Sequence, residues 1–148
     1  SSLLSHSPIN LVILMLGTND LKFRFQRTTE NIADGIKELI QIVLDTNSGS
    51  GGWHDVNKSN LVVICPPSLG EKSYDPNWIN FKEWEGGLEK STELHFSFEK
   101  VCSQMGVHLI DANEFCQSSS IDPIHWSKKM HLKFSENLAN IIDQKIKL

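Results

Sequence analysis

At 148 residues, 39% of them hydrophobic, the chain has the length of a single domain and enough apolar content for a real core. Its formal net charge is −4, with Lys and Arg scattered rather than clustered, which argues against nucleic acid or an anionic membrane as partner. No apolar run approaches the roughly 20 residues needed to span a bilayer.

The first element in chain order is Leu11-Val12-Ile13-Leu14-Met15-Leu16. It is a short continuous apolar run of the kind found in a parallel strand covered on both faces. It ends in Gly17-Thr18-Asn19-Asp20. A buried strand that closes in Gly and then Asn puts a side-chain amide at the carboxyl edge of a sheet, where open α/β folds bind ligands. From Thr28 onward, Ile32, Ala33, Ile36, Leu39, Ile40, Val43 and Leu44 form a helical stripe, with Thr28 or Thr29 as N-cap. The segment Asp45–Asn60 is rich in Gly, Ser and Asn and reads as a mobile loop with Trp53 exposed in it. Asn57-Lys58-Ser59 matches the glycosylation acceptor pattern but reads as a polar loop.

Leu61–Cys65 is a second buried strand. The long segment after it, Ser68–Glu85, carries Tyr74, Trp78, Phe81 and Trp84. Such aromatic density is a pocket wall, a subunit contact or a loop packed on its own core. A helix is predicted from about Leu88 to Met105, with Leu94, Phe98, Val101, Cys102 and Met105 on one face and Gly106 as C-cap. Val107–Ile110 is the third strand. The last helix runs from Lys128 to about Lys147, with Leu138, Ile141, Ile142 and Ile146 apolar and Lys145 and Lys147 complementing its dipole. Alternating strands and helices mean a parallel sheet with right-handed crossovers. Three strands leave a raw edge, so further N-terminal strands are expected. No repeat and no internal domain boundary is visible.

Cys65, Cys102 and Cys116 form an odd set without Cys-x-x-Cys spacing. They read as small buried hydrophobes in a reducing compartment, which favours a cytoplasmic location over a disulfide framework. The chemistry-bearing segment is Asp122-Pro123-Ile124-His125. A carboxylate three residues before a His can reach its imidazole from the same loop and orient it as a general base. Each residue also has a plainer role. His125 could be a capping or satisfied core histidine, Asp122 a turn residue before Pro123, and Asn19 a loop residue satisfying backbone groups. Asp122, His125 and His131 could hold a metal by residue type, but no His-Glu-x-x-His or two-Cys half-site supports it, and no metal is expected.

Together, GTND at 17–20 and DPIH at 122–125 resemble the third and fifth conserved blocks of the SGNH (GDSL-type) hydrolases. His125, Ser127 and His131 stand at family spacing in DPIHWSKKMHLKFSENLA, with Pro123 where a Gly is usual. The stretches HSPINLVILMLGTNDLK and FQRTTENIADGI, Pro66-Pro67, and Glu85-Gly86-Gly87 resemble the arylesterase and acyltransferase branch. The resemblance implies a three-layer α/β/α, flavodoxin-like fold with a parallel sheet of about five strands. It implies His125 as general base, Asp122 as its partner and Asn19 as an oxyanion donor. His131 is then structural. From the residues themselves, Asp20 pins the loop backbone rather than reacting, Gly17 permits close packing at the strand end, and Trp126 lines the acyl or alcohol pocket or packs.

The family's nucleophile sits in a Gly-Asp-Ser block after the first strand, and no Gly-Asp-Ser occurs in this chain. The expectation is a C-terminal portion of one SGNH domain, lacking upstream a segment on the order of 60 residues at ~30 per strand–helix unit. The implied reaction is hydrolysis of small acyl or aryl esters through an acyl-enzyme, with acyl transfer to alcohols as a variant and no cofactor. The implied partners are a small-molecule ester and further copies of the chain in a homo-oligomer. Two alternatives stand beside it: a carbohydrate or lipid deacetylase on the same scaffold, and a non-catalytic binding or structural protein that kept the fold.

Overall fold

The computed structural model describes residues 2–53 and 55–146. After a single helical turn, α1 (Ser2–Ser5), three strands alternate with helices: β1 (Leu11–Leu14), α2 (Thr29–Asp45), β2 (Asn60–Cys65), α3 (Phe81–Trp84), α4 (Gly87–Met105), β3 (His108–Asp111) and α5 (Lys128–Ile141). The strands form one parallel sheet in the order β1-β2-β3, with Val12 opposite Leu61 and Val63 opposite Leu109.

The central strand sets the layers. Side chains of a strand alternate between faces, so Leu61, Val63 and Cys65 enter one core while Val62 and Ile64 enter the other. The first core is closed by Ile32, Ile36, Ile40 and Val43 of α2 and by Leu94, Phe98, Val101 and Cys102 of α4. The second is closed by Ile110, Phe115 and Cys116, with Met130, Phe134 and Leu138 of α5 packed against it half-buried. Helices on both faces of a parallel sheet give the three-layer α/β/α arrangement that the resemblance implies, here with three strands among the described residues.

Local signals explain the helix ends. Thr28 Oγ1 accepts from Asn31 N–H and Asn31 Oδ1 accepts from Thr28 N–H, each at 3.2 Å, a reciprocal cap that starts α2. Gly106, at φ +66°, adopts the left-handed conformation that closes α4. Ser127 Oγ accepts from Met130 N–H at 3.2 Å and starts α5. The last helix gives way to a wider π-type turn at Ile142–Ile146. The Lys145 side chain and Lys147 lie outside the described residues.

Three expectations change. Only β2 is buried along its whole length; β1 and β3 each pair on one side, and Ile13 of β1 is 41% exposed. A strand at a sheet edge loses the neighbour that would cover it, and among the described residues nothing pairs with the outer edge of β1. The 45–60 loop is tied down rather than loose. Ser48 and Ser59 are buried and share a hydrogen bond at 2.9 Å, and Gly51 N–H reaches Lys58 C=O at 2.8 Å. Trp53 is half-buried, packed edge-on against the His108 ring with centroids 5.0 Å apart. In the 68–85 segment, Trp84 is buried and Trp78 packs against the first core, while Tyr74 stays exposed.

Candidate active site

β1 delivers the chain to Gly17 at φ +120°, a conformation that side chains disfavour. A Cβ there would stand 3.3 Å from Phe98, 3.4 Å from Ile32 and 3.5 Å from Leu94, so the glycine also lets the backbone lie on the first core. The following turn of 3-10 helix, Thr18–Leu21, is anchored by Leu21, which is buried. It is closed by Asp20 N–H to Gly17 C=O at 3.0 Å and Lys22 N–H to Asn19 C=O at 3.3 Å. The Asp20 carboxylate pairs with the Arg27 side chain, linking this turn to the segment before α2 rather than bonding its backbone. Asn19 is left exposed on the turn at the carboxyl end of β1.

The loop that follows β3 brings the second group of residues. Asp122 divides its carboxylate: Oδ1 accepts from Ile124 N–H at 2.9 Å and His125 N–H at 3.2 Å, and Oδ2 meets His125 Nδ1 at 2.7 Å. Desolvation pushes the Asp122 carboxyl up, but the hydrogen bonds from the His125 ring and the two backbone N–H groups outweigh it and hold it below the usual carboxylate range. An ionised Asp122 can only accept, so the His125 Nδ1 facing it carries a proton, and in the neutral ring Nε2 is the nitrogen with the free lone pair. Pro123 is fully buried, and its C=O accepts from Gly70 N–H at 2.8 Å. The Pro at the family's Gly position is thus built into the loop's packing.

Both groups meet in one cleft of about 270 Å³. Asn19 and Thr18 stand on one side, His125, Ile124 and Trp126 on the other, with Met15, Pro67 and His131 completing the walls. Among the described residues no serine lines it. Trp126 does both of the jobs open to it, lining the cleft while packing at a tilt against Phe134 and His131, with centroids 4.7 Å and 5.1 Å away. His131 lies on the cleft wall, one turn into α5. Ser127, at family spacing, is the cap of α5 rather than a cleft residue.

The other nucleophile type is out of reach. Burial pushes the Cys65 thiol up to about 12, with Asp111 and Cys102 adding to the effect, and burial also raises Cys102 and Cys116 to about 11. Among the described residues no group of three or more His, Cys, Asp or Glu side chains is placed to hold a metal ion.

Two features of the site escaped the sequence reading. Ser119 brackets Asp122 through its hydroxyl, and Gly70 makes room for Pro123, since a Cβ on it would stand 2.5 Å from Ser118 Oγ and 3.1 Å from Pro123 Cα. A glycine soon after a strand end hints at such a close approach; the serine gives no hint. Pro67 could have been placed at the cleft from its position just past the carboxyl end of β2.

Similarity to known proteins can be set against this geometry. No family model matches the chain, and no curated protein does. Among solved structures, a carbohydrate acetylesterase from Sinorhizobium meliloti aligns with TM-score 0.82 and 34% identity over 96% of this chain and 64% of its own. An aryl esterase from M. smegmatis aligns with TM-score 0.83 and 32% identity, again over 96% of this chain and 64% of its own. A second S. meliloti carbohydrate acetylesterase family member, 21% identical at TM-score 0.83, shares the fold. The chain therefore spans about 64% of the length of the first two.

Proposed function

From the premise that the chain is of SGNH-hydrolase type, we propose that it is the C-terminal portion of a serine ester hydrolase whose nucleophilic Ser lies outside these 148 residues. One observation carries the reading: His125 is anchored to Asp122 through Nδ1 at 2.7 Å and shares its cleft with Asn19. A histidine held by one ring nitrogen and open at the other is equipped to move protons. A cleft with an oriented histidine and a side-chain amide but no serine among the described residues that line it supports a nucleophile supplied from upstream.

The chemistry follows from those positions. His125 Nε2 takes the proton from the serine hydroxyl as its oxygen attacks the ester carbonyl. The carbonyl π electrons move onto oxygen, and the Asn19 amide N–H donates to that oxyanion. Collapse of the intermediate breaks the bond to the alkoxy oxygen, which leaves as the alcohol with the proton from Nε2. Water then attacks the acyl-enzyme, giving its proton to Nε2, and the acid is released as the serine oxygen is reprotonated. Asp122 stays ionised throughout, fixing the tautomer and stabilising the transient imidazolium.

The substrates are small acyl and aryl esters, and acyl transfer occurs where an alcohol replaces water. The second reading, deacetylation of carbohydrate esters, is favoured by the 34% identity to an acetylesterase. The same upstream segment supplies the strand that pairs with the outer edge of β1.

The test uses the complete protein. A serine-directed fluorophosphonate should add once, outside the sequence described, and His125→Ala should lower ester turnover by about three to four orders of magnitude while the protein stays folded. Asn19→Ala should lower kcat by about 10²–10³ with little change in KM. No adduct and no ester turnover in the parent protein would leave the non-catalytic reading in its place, and unchanged turnover in His125→Ala would overturn the role given to His125.

A further inference from the structure

We propose that Ser119 is a positioning residue, holding the segment Asp122–His125 in the one geometry that presents the Asp122 carboxylate to the His125 ring; the proposal rests on the hydrolase reading above. Three hydrogen bonds converge on this serine. Its hydroxyl accepts from Asp122 N–H at 2.9 Å and donates to Asp122 C=O at 3.1 Å, so both backbone groups of the carboxylate-bearing residue are fixed by one oxygen. Its own N–H donates to His125 C=O at 3.2 Å. Ser119 thus grips the segment at its first and last residues.

Such a grip matters here because little else restrains the loop. No residue of α5, which follows it directly, is buried. His125 has 79% of its side chain exposed and Asp122 has 45%. The one strong packing point is Pro123, buried and tied to Gly70, between the two residues that Ser119 holds. Pro123 fixes where the loop sits, and Ser119 fixes how Asp122 is turned within it. A rotation of Asp122 about its backbone would swing Oδ2 away from Nδ1, because the carboxylate is only two bonds from Cα. Ser119 touches no reacting atom; it acts through Asp122.

The experiment is a double-mutant cycle in the complete protein, reading kcat, KM and the pH dependence of kcat/KM. Ser119→Ala should lower kcat by roughly 10- to 100-fold with KM nearly unchanged, the scale expected of a displaced catalytic group. The acid limb of the kcat/KM profile should move to lower pH, because a misaligned carboxylate stabilises the imidazolium less. Ser119→Thr, which keeps the hydroxyl, should restore most of the rate. In an Asp122→Ala background, Ser119→Ala should cost nothing further, since the residue it positions is gone. Ser119→Cys, of similar size with a weak hydrogen-bonding group, gives the same reading should the Ala variant not fold.

An unchanged kcat and pH profile in Ser119→Ala, in a protein whose turnover still depends on His125, would overturn the positioning role alone. Equal losses with and without Asp122 would also overturn it, marking a merely structural serine. Turnover indifferent to His125 would overturn the hydrolase reading and this proposal with it.

Discussion

The two halves of the cleft are held by different forces. The Asn19 turn rests on packing: Gly17 lies against Phe98, Ile32 and Leu94, and Leu21 is plugged into the same core. The His125 loop rests on hydrogen bonds, from Ser119, Gly70 and the Asp122 carboxylate, with a helix behind it that buries no residue fully. Packing is indifferent to pH and yields to changes of volume; hydrogen bonds around a carboxylate tolerate changes of volume nearby and yield to protonation. The Asn19 side should therefore fail with the core, and the His125 side with the polar groups.

The largest effect should come from Phe98→Ala. Its ring is fully buried and touches the space over Gly17, so a cost of about 3–5 kcal/mol is expected from denaturant unfolding of the complete protein. Phe134→Ala, on the half-buried face of α5, should cost less than half as much, because a partly solvated ring leaves a smaller cavity. Equal costs would erase the contrast between the two sides, or show that upstream residues bury Phe134 in the complete protein.

Gly17→Ala sharpens the contrast from the site's side. The φ of +120° and the crowding at 3.3–3.5 Å both oppose a methyl group, so the substitution should destabilise by about 1–3 kcal/mol. It should also lower kcat by shifting Asn19, while the pH profile keeps its shape because only Ile124 of the His125 loop packs on this core and the Asp122–His125 pair itself is held by hydrogen bonds. A shifted acid limb would show that the two halves are mechanically joined.

This division also explains what the sequence disclosed. The packing-held half was legible: the apolar run into GTND, the α2 stripe from Ile32 to Leu44 and the Phe98 face of α4 are periodic patterns that report burial directly. The Asp122–His125 pairing was legible too, because three-residue spacing within one loop limits the distance between the side chains. The bonds that orient the pair were not. Ser119 sits in the run Ser118-Ser119-Ser120, where composition cannot say which hydroxyl is used, and Gly70 meets Pro123 across 53 positions of chain. The edge exposure of Ile13 was hidden for a related reason, since an apolar run reads the same in a central strand and in an edge strand. The count of three strands gave the raw edge that the run itself could not.

Ser127→Ala tests the anchor of α5 behind the base loop. Losing the bond to Met130 N–H should cost about 1 kcal/mol, with a smaller effect on turnover than Ser119→Ala, because Ser127 holds the helix and not the carboxylate. A larger loss of turnover than of stability would mean that the α5 start also steers His125.

The smallest effect should be the acid response of the His125 side. The Asp122 carboxyl titrates below its ordinary value of 3.8, since the bonds from His125 and the two backbone N–H groups outweigh desolvation. A carboxyl whose folded pKa is depressed contributes stability that is present above the unfolded pKa and is lost as pH falls through the folded one. The hydrogen bonds of Asp122 should therefore contribute fully at neutral pH and fade below about pH 4. With 45% of the side chain exposed, solvent screens much of the effect. Asp122→Asn keeps an acceptor for the backbone N–H groups and removes the charge. Its stability deficit relative to the parent should shrink as the pH is lowered from about 6 to about 3, while Phe98→Ala keeps a constant deficit over that range. A deficit in Asp122→Asn that did not change with pH would mean that shape alone holds the base loop, and the two halves of the cleft would then be built alike.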